Sequence, residues 1–87
     1  MSGPRQASLL AASCVRAADA FRLGEEATGS SHLAELVERL SELAAEGDGR
    51  IEGLGEALED IARAQGRGDF LRVADVLEFV LAPALGD

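Results

Sequence analysis

Apolar residues recur at every third or fourth position along most of this chain, and that spacing leaves little room for anything but helices. Leu10, Cys14, Ala17 and Phe21 define one stripe, flanked by Ala7, Ala11 and Ala18. Leu33, Leu36, Val37, Leu40, Leu43 and Ala44 define a second, and Ile51, Leu54, Leu58, Ile61 and Ala62 a third. A side chain returns to the same face of an α-helix after about 3.6 residues, whereas a strand changes face at each residue. No segment alternates in the strand manner. The fold class read from the sequence is all-α.

Punctuation divides the stripes into four helices, at about 4–23, 28–46, 50–65 and 69–83. Ser2-Gly3-Pro4 opens the first, because proline in a first turn lacks only an N–H that the helix does not use. Gly24 is a suitable C-terminal stop. Thr28, Ser30 and Ser31 offer N-caps for the second helix, although Glu25 and Glu26 could equally occupy an earlier first turn. Glu46–Arg50, "EGDGR", is the best internal break, since two glycines inside a helix cost on the order of 2 kcal/mol. The apolar heptad nevertheless continues through it, which keeps one long helix as an alternative. "GRGD", Gly66–Asp69, makes the last turn, with Asp69 placed to cap the fourth helix. Short connections favour an antiparallel, up-and-down bundle.

The 87 residues allow one domain, 1–87, with a single core. Its three aromatic residues are all Phe, so the core must be built from Leu, Val, Ile and Ala. All eight basic residues are arginine, against sixteen acidic ones, for a net charge of −8. A chain so charged repels phosphate backbones and anionic lipid, and it has no basic stripe or aromatic platform to offset this. Neither nucleic acid nor membrane is expected as a partner. "LLAASC", Leu9–Cys14, superficially resembles a lipoprotein cleavage site, but its apolar run is too short and Ala11 stands where a branched aliphatic residue is preferred. No uncharged stretch approaches the roughly 20 residues of a transmembrane helix. The expected location is the cytoplasm.

The closing segment, "GDFLRVADVLEFVLAPALGD", is apolar on nearly every side. On a regular helical wheel Phe70, Val73, Ala74, Leu77, Val80, Leu81, Ala84 and Leu85 share an arc of about 140°, wide enough to face a core. Asp75, Glu78 and Arg72 lie outside it. Val76 and Phe79 project on the far side next to Arg72, and Leu71 also lies outside. These side chains are either ordinary exposed apolar residues or a surface that meets a second chain. Pro83 is expected to end or kink the helix near Ala82.

Catalytic and metal chemistry find little support. His32 is the only histidine, and with Glu35 it falls short of the ligand number that zinc requires. Cys14 lies on an apolar face, where a free cysteine behaves as a small hydrophobe. Glu35, Glu38, Glu42 and Glu46 line the outer face of the second helix, which reads as a solvated surface. They lack the inward Glu-x-x-His pairs of a di-metal bundle. Neither "GDGR" nor "GRGD" has phosphate-loop spacing, and Arg67-Gly68-Asp69 matches an adhesion tripeptide only by coincidence. No catalytic residue, cofactor, metal or small-molecule ligand is expected.

The C-terminal half resembles a family of short, uncharacterised bacterial helical proteins. The residues that carry the resemblance are Asp69, Leu71, Ala74-Asp75, Leu77-Glu78, Phe79 and Pro83, preceded by "EALEDIARAQ" from Glu56 to Gln65, with "FRLGE" from Phe21 to Glu25 as the link between the first helices. Phe79 stands where that family has tyrosine, so a role for a phenolic hydroxyl is absent. The resemblance implies a small helical accessory protein and a connection with motility genes. Residues and resemblance together lead to the expectation of a non-enzymatic interaction module, an adaptor or small chaperone-like protein. Leu71, Arg72, Val76 and Phe79 are its candidate contacts. A homodimer built through the same surface is the alternative.

Overall fold

The computed structural model describes residues 4–47 and 49–86, with side chains for 9–47, 49, 51 and 53–86. The expected entry at Ser2-Gly3, the side chains of Ala7 and Glu52, and Asp48 within the central break lie outside these. The elements are α1 (Pro4–Arg22), α2 (Glu26–Ala45), α3 (Gly49–Glu52), α4 (Gly55–Gly66) and α5 (Phe70–Val76). A π-helical turn (Leu77–Leu81) then leads without interruption into α6 (Ala82–Gly86). The described residues form an all-α bundle with no strand.

Two joints share one design. Gly24 and Gly68 follow α1 and α4 with φ of +80° and +74°, a region that glycine enters without a Cβ penalty. Glu25 N–H then donates to the carbonyl of Ala20 and Gly24 N–H to that of Phe21. Asp69 and Gly68 repeat this pattern with Ala64 and Gln65. These paired bonds satisfy the last carbonyls of each helix and reverse the chain within three residues. Asp69 also caps the next helix, accepting from Arg72 N–H at 3.2 Å.

Three local expectations change. The second helix begins at Glu26, so Thr28, Ser30 and Ser31 lie inside its first turns rather than capping it. The break after Ala45 is real, with Glu46 and Gly47 in a turn, and the single long helix does not form. A second break follows at Gly53–Leu54, splitting the expected third helix into α3 and α4. Glycines on both sides of Leu54 make this break inexpensive, and it lets both Ile51 and Leu54 reach the core.

The third change lies at Pro83. The helix does not stop near Ala82 but continues to Gly86. Ala82 N–H bonds to the carbonyl of Leu77, five residues back, so the turn ahead of the proline is widened by one residue. A wider turn accommodates a ring that would collide with the preceding turn of a regular α-helix.

Antiparallel packing carries the chain around the bundle in the order α2, α1, closing helix, α4. Phe21 at the end of α1 stacks on Phe70 at the start of α5, with ring centroids 5.4 Å apart. At the other end of that pair Ala11 lies beside Gly86. Leu36, Leu40, Val73, Leu77, Leu81, Leu85 and Cys14 are fully buried where these helices meet. α2 packs on α1 and on the short α3, but it does not pack closely on α4. Three seams of the ring are closed, and the fourth is open.

Candidate functional site

The four candidate contacts of the closing helix separate in the structure. Leu71 and Phe79 are 66% and 65% exposed, and Arg72 is exposed beside them. Val76 is only 3% exposed. The wheel placed Val76 opposite the core, but the closing helix is covered on two sides, by α1 and by α4, and Val76 lies on the α4 side. Arg72 is also engaged with α4, donating to Asp60 at 2.5 Å. This guanidinium holds the Asp60 carboxyl below its ordinary range.

The π turn moves the residues after it by one place. Val80 and Ala84, expected in the core, are exposed, while Ala82 is partly buried against it and Gly86 meets Ala11. Each residue past the turn occupies the position that its predecessor would hold on a regular helix. Val80 thereby joins Phe79 outside, and the two line a shallow hollow of about 200 Å³ with Arg72, Asp75 and Val76.

Phe79 has an intramolecular partner as well. Arg22, the last residue of α1, donates to Glu78 and, at 3.0 Å, to Asp75. Its guanidinium carbon lies 5.7 Å from the centroid of the Phe79 ring, within cation–π reach. The carboxylates of Glu78 and Asp75 raise the Arg22 pKa above its ordinary value by favouring the charged guanidinium. Part of the Phe79 surface therefore supports the junction of α1 with the closing helix.

A larger apolar surface lies at the open seam. Ser30, Leu33, Ala34 and Val37 of α2 face Leu58, Ile61, Ala62 and Gln65 of α4 across a groove of about 440 Å³. Leu33 and Ile61 form its buried floor, while Val37, 41% exposed, stands on its wall. Val37 and Ala62 were expected to face inward with their stripes; both are exposed because no helix covers the groove. Serine, alanine and glutamine at its edges present small or uncharged side chains. The sequence carries no signal of this groove, because Val37 and Ala62 belong to apolar stripes of the ordinary width for a core-facing helix.

The remaining candidates fall into place around these surfaces. Cys14 is fully buried, and burial pushes its thiol up to about 12, which keeps it protonated and unreactive. His32 and Glu35 border a hollow of about 230 Å³ between α1 and α2, together with Ser13, Arg16 and Arg39. Glu35, Glu38 and Glu42 are exposed on α2, and Glu46 is exposed in the turn that follows it. Among the described residues no three side chains converge as a metal would require, and no helix is long and apolar enough to cross a membrane.

Among the described residues, fold and site define a small all-α bundle with an apolar groove along its α2–α4 seam. Comparison with protein families, characterised proteins and solved structures finds no match to this chain.

Proposed function

We propose that this protein is a non-enzymatic helical interaction module that seats the apolar face of a partner protein's helix in the groove between α2 and α4. The observation that supports this reading is the open seam itself, a concave apolar strip between two helices that each bury an adjoining apolar face in the bundle. Helix-in-groove recognition uses such a strip, taking apolar anchors at helical spacing. The resemblance of the C-terminal half to small helical accessory proteins agrees with this role. A neutral solvatochromic dye such as Nile red tests it. The dye should brighten with the protein, and Val37→Glu or Ala62→Glu, both at exposed positions, should remove the signal while the helical circular dichroism persists. Absence of dye binding, or binding indifferent to both variants, would count against the groove.

A homodimer is the second reading, favoured by Leu71, Phe79 and Val80, which together expose three large apolar side chains on one helix. Light scattering on a size-exclusion column separates the two readings. A mass near that of the 9.0 kDa chain supports a groove kept for another protein. A mass of twice that value, lowered by Phe79→Ala, supports self-pairing.

A further inference from the structure

We propose that the hollow between α1 and α2 binds the phosphate group of a small, soluble phosphate monoester. It shares no lining residue with the α2–α4 groove, so the two assignments stand or fall separately. The observation that carries the proposal is where the unpaired cations lie. Acidic residues outnumber arginines sixteen to eight, and Arg22, Arg63 and Arg72 each pair with a carboxylate. Among the described residues, Arg16 and Arg39 have no carboxylate within ion-pairing distance, yet both line this one hollow, one from each helix. Two guanidiniums brought to one hollow repel each other, and an anion held between them relieves that repulsion.

The side chains in the hollow suit a phosphate. Arg16 donates to Ser13 Oγ at 3.1 Å, and Ser13 in turn donates to the Leu9 carbonyl at 3.2 Å. This relay fixes one guanidinium along α1 and leaves most of its five donors to a ligand. Arg39 supplies a second fork from α2, and the half-buried His32 adds a ring N–H. A phosphate monoester brings three acceptor oxygens and close to two negative charges, which two guanidinium forks match. Glu35 also lines the hollow, so two arginines against one glutamate leave it a net charge of +1, His32 aside. That carboxylate is the one strong acceptor there, and it favours a ligand with a hydroxyl next to its phosphate. Leu10 and Leu36 form a buried floor, which strengthens the polar interactions above it. The volume of about 230 Å³ lies below the roughly 300–1,000 Å³ of sites for drug-sized ligands, so the ligand is small. The net charge of −8 repels the phosphate arrays of nucleic acid and anionic lipid. A single small anion feels mainly the charges within a Debye length of about 8 Å, which here include the two arginines.

His32 is the only histidine, so its imidazole proton resonances report on the hollow without labelling. Titrating the intact, tag-free protein with glycerol phosphate at constant pH and low salt is expected to shift them saturably, half-complete below about 1 mM. Arg16→Gln and Arg39→Gln, both at exposed positions, should each weaken this binding by about tenfold or more, with the helical circular dichroism unchanged. Arg67→Gln removes the same charge from the exposed turn after α4 and should leave the titration unchanged. Glu35→Gln keeps an acceptor, removes the opposing charge and should lower the half-saturation concentration. A shift that grows linearly without saturating overturns the site, as does binding weakened no more by Arg16→Gln and Arg39→Gln than by Arg67→Gln. Acetate binding as tightly as glycerol phosphate overturns the assignment to phosphate.

Discussion

Replacing Gly29 by alanine sets two effects of known size against each other. Alanine inside a helix is favoured over glycine by about 1 kcal/mol, so the change would ordinarily stabilise α2. A Cβ at this position, however, would lie 2.9 Å from Cδ1 and Cε1 of Phe21 and 3.0 Å from Cγ. Overpacking of this kind costs about 1–3 kcal/mol, depending on whether the neighbour can yield. Phe21 has little freedom to do so. It is 3% exposed, and its ring is nearly parallel to that of Phe70, with an interplanar angle of 5°. The penalty therefore belongs in the upper half of its range, and Gly29→Ala should destabilise the protein by about 1–2 kcal/mol net. Urea denaturation followed by circular dichroism measures this directly. Gly55→Ala is the control, because a Cβ there meets nothing within 4 Å, and it should be neutral or stabilising. In a Phe21→Leu background the Gly29→Ala penalty should shrink, since the ring it strikes is gone. A Gly29→Ala protein as stable as the parent would refute the reasoning.

Four further outcomes are expected. Cys14 should resist alkylation in the native state and react at the rate of unfolding, measured with a thiol reagent at mildly alkaline pH with and without urea. The Asp60–Arg72 pair holds the Asp60 carboxyl below its ordinary 3.8, so its stabilisation is complete above that pH and is lost as pH falls below it. The gap in urea midpoint between the parent and Asp60→Asn should accordingly be present at neutral pH and close in acid. Pro83→Ala restores a backbone N–H at an exposed position inside a continuous helix and should raise stability by about 1 kcal/mol or more in thermal denaturation. Phe79→Ala should cost only about 0.5–1 kcal/mol in urea denaturation, because an exposed cation–π contact with Arg22 is the main interaction lost.

Where the chain reports on itself locally, its sequence reads well. Helix class follows from spacing, and the reversals after α1 and α4 follow from Gly24 and Gly68, because the turn chemistry is complete within a few residues. The break near Gly47 is legible for the same reason. Harder to read is Gly53–Leu54, where an unbroken heptad argues for continuity while the gain from burying Ile51 and Leu54 separately argues against it. That gain depends on the surface of α2, far away in sequence, and tertiary burial outweighs the local pattern. The start of α2 was ambiguous because three hydroxyl side chains and two glutamates offered competing first turns. The earlier one prevailed.

The closing helix shows how a local defect alters a global surface. A wheel drawn at constant pitch assigns its faces correctly up to Val76 and misassigns Val80 and Ala84, because one extra residue in the π turn moves all that follows back by a place. Pro83 was visible, but the sequence does not say whether a proline ends a helix or is absorbed by a widened turn. The outcome depends on what continuation can bury, and here Leu85, 1% exposed, is carried into the core against α1. Val76 illustrates the converse limit. Its angle on the wheel was right, yet angle alone cannot tell solvent from a second neighbour, and α4 supplies that neighbour. The same missing information conceals the groove. Val37 and Ala62 belong to regular apolar stripes, and only the spatial order of the helices leaves them facing each other across open space. A surface made by the absence of packing between two helices cannot be read from either helix alone.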